Sequence, residues 1–473
     1  LASSFIGIDY DNWRVAAVLA KTAGEARIGF ADGEEGRLPA GAASMGYRKT
    51  GGSAFSAMRP GDLIAVKATG PGVYTLKNIP EVSGGMVVES PHSGRIYAMQ
   101  GGFDVRLSPF NRATQAERQP GSTIKPFVYA TALDNGMTPA TLIVDGPFCV
   151  YQGARFGNKC FRNFGGASGS GEHTMRWGLE QSRNLMTVRT ASQIGMEPIV
   201  ETIKTMGIGT HEPYLSTALG AGSTTVEKMV NAFSMLANHG RELKPRLIDY
   251  VQDRRGKVIF PKNWRPCDGC NSDDWDGKPM PRFTPSGKQL MDPMTAYQVV
   301  HMLEGVVQRG TAQVLRDLNV PLFGKTGTTT GPTDVWFVGG TPDVVAGLYM
   351  GYDQPRSMGG YAQGGSLAAP VFKQFFLESL TDRPPVPFIA PKNIRMVRIN
   401  RQSGRRVYGA WPGTDPKAAI IWEAFKPESE PRRTIREEEI KPAASAKRPD
   451  APVQEGNGRR SDADFLDDRG GIL

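Results

Sequence analysis

The chain reads as an α+β protein preceded by a small all-β unit, and three observations predict that class. Over residues 1–80, short apolar runs alternate with Gly and Pro turns, the pattern of small β units. Through the middle of the chain, apolar residues recur at helical spacing. Strand character then returns near residue 320, far from an early hairpin, so N- and C-terminal pieces must share one sheet. At roughly 150 residues per domain, 473 residues suggest about three folded units with length enough for a large buried core.

In chain order, FIGIDYDNWRVAAVLAK, EARIGFADG and RPGDLIAVKATGPGVYTLKNIP supply the strands of the first unit. From Gly84, GGMVVESPHSGRIYAMQGG places two β-rich runs around Pro91-His92-Ser93-Gly94, a hairpin with turn chemistry at its tip. A helix is expected from Ser122 to about Asn135, with Asp134-Asn135-Gly136 as its stop. TMRWGLEQSRNLMTVRTASQIG, VEKMVNAFSMLANHG and MTAYQVVHMLEGVVQRG continue the helical pattern, so residues 137–315 are expected to be mostly helical with long loops. VPLFGKTGTT and VWFVGGTPDVVAGLYMGYD read as strands, and AAPVFKQFFLESL as a closing amphipathic helix. A β-like appendage, IRMVRINRQSGRRVYGAW, follows, and the charged, Pro-rich composition beyond about Lys426 predicts disorder. The expected division is residues 1–80, 81–382, 383–426 and a tail from 427 to 473.

The net charge of +9 favours anionic partners, but no segment interleaves dense Lys and Arg with aromatics as nucleic-acid modules do. No apolar run reaches the roughly 20 residues a bilayer span needs. The first residue is Leu1, not Met, so the sequence is expected to be a fragment or processed product whose anchoring or targeting segment lies upstream. Only five His are present, none spaced with Cys or carboxylates as metal ligands, so neither a metal site nor a Ser-His-Asp triad is expected. Cys149 and Cys160 share one loop and can close a short disulfide in an oxidising compartment. Cys267 and Cys270 have redox-motif spacing but sit in a polar, Pro-flanked loop, which favours a structural bridge or free thiols. Four Cys allow three pairings, among which the sequence does not choose.

Three short motifs carry chemistry. ERQPGSTIKPFVYATALDNG sets Ser122 and Lys125 three apart at a helix start, where both side chains share a face and free N–H groups favour a developing anion. A serine hydroxyl is a weak nucleophile and needs a base, and a lysine kept neutral by burial or a second cation can serve. EQSRNLMTV offers Ser182 and Asn184, a hydroxyl to relay a proton and an amide to hold a substrate amide. Lys-Thr-Gly occurs twice. The copy at Lys49-Thr50-Gly51 lies in a Gly- and Ser-rich loop and is assigned no role; the copy at Lys325-Thr326-Gly327 lies on a strand with Thr328 beside it. Gly327 leaves room for a peptide to lie along the strand, where Lys325, Thr326 and Thr328 are expected to meet a terminal carboxylate. The backbone N–H groups of Ser122 and Thr328 are the expected oxyanion donors.

The ordered set Ser-x-x-Lys, Ser-x-Asn, Lys-Thr-Gly resembles the penicillin-recognising serine enzymes. GGMVVESPHSGRIYAMQGGFD, FNRATQAERQPGSTIKPFVYATAL, LSTALGAGSTTVEKMVNAFSMLANHG, MLEGVVQRGTA and GKTGTTTGPTDVWFVGGTPD extend the likeness, over residues 84–380, to class A penicillin-binding proteins, the 1A type in particular. The resemblance implies an antiparallel sheet flanked by helices, a mostly helical subdomain and an N-terminal OB-like module. It also implies a serine D,D-transpeptidase of peptidoglycan stem peptides ending in D-Ala-D-Ala, acylated by β-lactams. The implied setting is the periplasmic side of the inner membrane, with membrane attachment through an upstream segment and with cell-wall synthesis regulators as partners. No cofactor is implied. In matching positions Ser122 is the nucleophile, Lys125 the base, Ser182 and Lys325 proton relays, and Asn184, Thr326, Gly327 and Thr328 substrate contacts. D,D-carboxypeptidase and non-catalytic penicillin sensor are the alternatives. A β-lactamase fits less well, because the chain is long and shows no convincing Glu-x-x-Leu-Asn segment.

Overall fold

The structure, a computed structural model, describes residues 10, 12–46, 52–151, 157–261, 274, 277, 287–382 and 384–431. It divides into two compact units, Leu1–Glu81 and Val82–Leu473. The first Lys-Thr-Gly, Cys267, Cys270 and residues 432–473 lie outside the described residues.

In the first unit, β1 (Trp13–Lys21), β2 (Glu25–Gly29), β3 (Glu35–Pro39), β4 (Leu63–Gly70) and β5 (Val73–Lys77) close a barrel in the order β1-β2-β3-β5-β4. All neighbours are antiparallel except β3 and β5. Alternate residues such as Ala16, Val18, Ile28, Leu38, Val66 and Leu76 point inward and fill it. A one-turn helix, α1 (Ala54–Ala57), is capped by the Ser53 hydroxyl.

The second unit is built on a five-stranded antiparallel sheet. Its first strands, β6 (Ser83–Glu89) and β7 (Ile96–Gln100), form the hairpin read from the sequence. The remaining three, β14 (Phe323–Thr328), β15 (Asp334–Gly340) and β16 (Val345–Gly351), come more than 200 residues later, and β16 pairs with β6 to give the order β14-β15-β16-β6-β7. Between them run α2 (Lys125–Asp134), β8 (Leu142–Asp145), β9 (Phe148–Tyr151), β10 (Asn158–Phe161), β11 (Gly171–Thr174), α3 (Met175–Glu180), α4 (Asn184–Ile194), α5 (Met196–Thr205), α6 (Val226–Ala237), β12 (Val251–Gln252), β13 (Val258–Phe260) and α7 (Pro293–Arg309). After the sheet come α8 (Ala369–Ser379), β17 (Arg395–Asn400) and β18 (Ile420–Phe425).

Residues of β15 are buried throughout because both faces of the sheet are covered. Val230 of α6 packs on the face that carries Val338 and Gly347, and Phe372 of α8 packs on Phe337, one residue away and so on the opposite face. Helix α2 is buried from Lys125 to Leu133 and lies among α4, α5 and α7, which makes it the central helix.

Three expectations need correction. Residues 137–315 are not simply helical: β8 pairs with β11, β9 with β10 and β12 with β13. These strands have two to four residues each, too few for alternation to show in sequence. The run from Thr174 to Gly195, helical in its periodicity, breaks at Gln181–Arg183 into α3 and α4, with Ser182 at φ 55°. The appendage is the antiparallel pair β17–β18, and its order continues past Lys426: Glu430 pairs with Arg406 at 2.6 Å. Cys149 and Cys160 stand opposite each other across β9–β10 and are disulfide-bonded.

Candidate active site

The serine motif is placed by the segment before it. Arg118 exchanges two backbone hydrogen bonds with Thr224, of 2.8 and 2.9 Å, and its guanidinium donates to Asp334 at the start of β15 (2.8 Å). The chain then enters a 3-10 turn, Gly121–Ile124, that runs into α2, with Gly121 at φ 52°, a conformation that favours glycine. Ser122 therefore sits half-buried at the mouth of the central helix, and the Lys125 N–H closes the turn onto its carbonyl.

Strand β14 lies against this turn because Gly327 lets it. A Cβ at Gly327 would fall 2.5 Å from the Pro120 carbonyl oxygen and 3.0 Å from Thr123, so any side chain there pushes the strand off the serine turn. On the same face, two residues earlier, Lys325 reaches across to the α3–α4 break.

That break is where the polar groups converge. Lys325 Nζ donates to Ser182 Oγ at 2.8 Å and to the Thr326 carbonyl at 3.1 Å. Lys125 Nζ donates to the Ser182 carbonyl at 2.6 Å and to Asn184 Oδ1 at 2.7 Å, with Ser182 Oγ at 3.4 Å. Two lysines thus share one hydroxyl, and each ends on neutral oxygens. Both are fully buried. Burial pushes the Lys125 amine well below its usual value, with Lys325 and Arg183 adding repulsion and Asp145 partly opposing them. Burial alone brings Lys325 down to about 7. An amine that is neutral near pH 7 can take a proton from an alcohol, which an ammonium cannot.

Alternation along β14 sends Thr326 and Thr328 to the face opposite Lys325. Lys325 is bonded to Ser182 on the other face. The Thr326 hydroxyl meets Thr311 at 2.6 Å, and Thr328 Oγ1 accepts the Gly364 N–H at 3.0 Å while keeping its own proton to donate. Thr311 and Gly364 have no sequence signal, since they reach the strand only through the fold. Strand β14 is an edge strand, paired with β15 alone. Among the described residues, no group of three or more His, Cys, Asp or Glu could hold a metal ion, and no helix is long and apolar enough to cross a membrane.

A half-buried serine at a helix mouth, a pair of buried lysines on one hydroxyl and an open strand edge are the parts of this site, and comparison places the chain in a family. Residues 84–377 match the penicillin-binding protein transpeptidase domain and residues 6–82 the penicillin-binding protein OB-like domain. The chain belongs to the penicillin-binding protein transpeptidase family. It is 39% identical to penicillin-binding protein 1A of Rickettsia bellii over 88% of this chain and 51% of that protein. With the Rickettsia prowazekii protein of the same name it shares 36% identity over 88% of this chain and 52% of that one. The chain thus spans about half the length of these relatives. The crystal structure of penicillin-binding protein 1A from Haemophilus influenzae has the same fold, at a TM-score of 0.75 and 24% identity, over 90% of this chain and 64% of that one. The PonA1 protein from Mycobacterium tuberculosis, solved in complex with penicillin V, matches at a TM-score of 0.54 and 22% identity over 70% of this chain and 85% of that one.

Proposed function

We propose that this chain carries a serine D,D-transpeptidase that cross-links peptidoglycan stem peptides through an acyl-enzyme on Ser122. The observation that carries the reading is the pair of buried lysines on one serine hydroxyl. A neutral Lys125 commits its two N–H bonds to the Ser182 carbonyl and Asn184 Oδ1, which leaves its lone pair for the Ser122 proton. Ser122 Oγ then attacks the carbonyl of the penultimate D-Ala, and the backbone N–H groups of Ser122 and Thr328 stabilise the oxyanion. The bond to the terminal D-Ala breaks, and its nitrogen takes the proton through Ser182, with Lys325 as the second donor on that hydroxyl. An amine from a neighbouring stem attacks the ester carbonyl and gives up its proton to the same base; the bond to Ser122 Oγ breaks, that oxygen takes the proton back, and the new amide is the cross-link. The stem lies along the free edge of β14 by strand addition, its terminal carboxylate on the Thr326 and Thr328 hydroxyls and its amide on Asn184.

In this reading a β-lactam acylates Ser122 as a mimic of the D-Ala-D-Ala end. The domain works on the periplasmic side of the inner membrane, attached through an upstream segment and answering to regulators of wall synthesis. Residues 1–80 form an OB-like module, 81–382 the catalytic domain and 383–426 the appendage. Incubation with benzylpenicillin followed by intact-mass and peptide mass spectrometry tests the site, with one adduct on Ser122 lasting hours as the expected result. Rapid drug turnover without an adduct would point instead to a β-lactamase. A stem pentapeptide supplied with an amine acceptor then separates the activities: a cross-linked product marks a transpeptidase, release of D-Ala alone a carboxypeptidase, and neither a sensor.

A further inference from the structure

Outside the motifs, one buried carboxylate braces the α3–α4 break through Arg183 and bears electrostatically on Lys125. Asp145, the last residue of β8, is 1% exposed. Its Oδ2 accepts from Arg183, at 2.9 Å from Nε and 2.7 Å from a terminal nitrogen, and from the Ser170 hydroxyl at 2.9 Å. Oδ1 accepts from the Asn163 amide at 2.8 Å. Arg183 and Asn163 lead back to the Ser-x-Asn turn. Arg183 is the residue between Ser182 and Asn184. Asn163 Oδ1 accepts the Leu185 N–H at 3.2 Å, and the neighbouring Arg162 carbonyl accepts from Asn184 Nδ2 at 3.1 Å. That last bond orients the amide, so that Asn184 Oδ1 is the atom turned to Lys125. The Cys149–Cys160 bridge ties β9 to β10 immediately before Arg162 and Asn163, so this carbonyl and amide leave a covalently closed hairpin.

We infer that Asp145 is a positioning residue of the acyl-transfer site, which fixes the Ser182–Leu185 turn and the Asn184 amide through Arg183 and Asn163 and balances the charge around Lys125. The inference rests on the acyltransferase reading above. Burial opposes the Asp145 charge, but the bonds from Arg183, Asn163 and Ser170 outweigh it and hold the carboxyl below its usual range, so it is an anion at neutral pH. The charges that bear on Lys125 are Lys325 from β14, Arg183 from the turn and Asp145 from β8, the first two repelling its proton and the third favouring it. Removing Asp145 leaves Arg183 uncompensated and lowers the Lys125 pKa further; removing Arg183 does the opposite.

The test is the second-order rate of acylation by a fluorescent penicillin, measured from pH 5 to 10 on wild type, Asp145→Asn and Arg183→Gln, and normalised to folded protein. Displacing a catalytic amide by about 1 Å can cost on the order of a hundredfold, so Asp145→Asn is expected to slow acylation by roughly tenfold or more. The inflection on the acid side moves to lower pH in Asp145→Asn and to higher pH in Arg183→Gln. A merely structural role reduces the folded fraction and shifts neither inflection, and that result overturns the inference. Should Asp145→Asn not fold, Arg183→Gln, whose side chain is partly exposed, decides by the direction of its shift alone. A wild type that takes no adduct on Ser122 sinks the acyltransferase reading; an acylated wild type with both variants unshifted sinks only the role of Asp145.

Discussion

Two clusters of buried charge are joined by the short helix α3, and they are built on opposite rules. Along its length, from Arg176 to Glu180, Arg176 and Arg309 alternate with Glu423 and Glu180. Arg176 forks onto Glu423 (2.6 Å from one nitrogen) and also reaches Glu180 at 3.3 Å, while Arg309 reaches Glu180 at 2.6 Å. Every charge has a counter-charge and the sum is zero. Burial works against the Glu423 anion, but Arg176 holds its carboxyl below the usual range. Just past the C-terminus of α3, Lys125 and Lys325 meet on Ser182 with only neutral oxygens as hydrogen-bond partners, and burial lowers the pKa of both amines. Pairing keeps the first cluster ionised, whereas its absence lowers the amine pKa values of the second and raises the share of unprotonated amine. The quartet also anchors the hairpin β17–β18, beyond the matched transpeptidase residues, to the helix that leads into the Ser-x-Asn turn.

The contrast can be broken at several strengths. Ser122→Ala is expected to abolish covalent β-lactam labelling, and an adduct that survives at another residue refutes the nucleophile. Lys125→Ala removes the base and should slow acylation by about 10²–10⁴-fold in a protein that still folds; near-normal rates would move the base elsewhere. Glu423→Gln leaves Arg176 and Arg309 sharing Glu180, one positive charge in excess, and should cost about 3 kcal/mol of stability in chemical denaturation, while the folded fraction acylates normally. A loss of acylation without a loss of stability would show that the two clusters are not separable.

Their pH dependences should also diverge. The folded Lys325 pKa of about 7 lies below the unfolded value near 10.4, so between these limits the unfolded chain binds more protons. Raising the pH across that window therefore adds stability from the lysine cluster, and acylation rises as the amines discharge. The depressed Glu423 carboxyl has the same sign in a different window: its contribution is complete above about pH 4.3 and is lost on further acidification. Denaturation at pH 4, 7 and 9 separates the two windows. The smallest effect is expected at the first Lys-Thr-Gly, where Lys49→Ala should leave the acylation rate unchanged.

The difference between the clusters also marks what sequence can convey. The sheet strands, the β6–β7 hairpin and α2 are legible because each carries local periodicity and a turn signal, such as Asn135-Gly136 after α2. Lys125 and Lys325 stand out through their motif neighbours, but their shared hydroxyl is a tertiary fact, as is the turn of Thr326 and Thr328 away from Lys325. The break at Ser182 contradicts helical periodicity because bonds from Lys125 and Lys325 override local preference. Asp145 is 38 residues from the arginine it holds, and Glu423 is 247 from Arg176, with no intervening pattern to link them. Single buried counter-ions leave no periodic trace.

The left-handed backbone at Ser182 sets two kinds of selection against each other. A serine in that conformation costs about 1 kcal/mol or more relative to glycine, which adopts it freely. A library screened only for resistance to heat is therefore expected to drift toward Gly or Asn at position 182, and one screened for wall synthesis to keep the serine. The hydroxyl between the two lysines is presented at a cost in backbone strain that a glycine there would not carry.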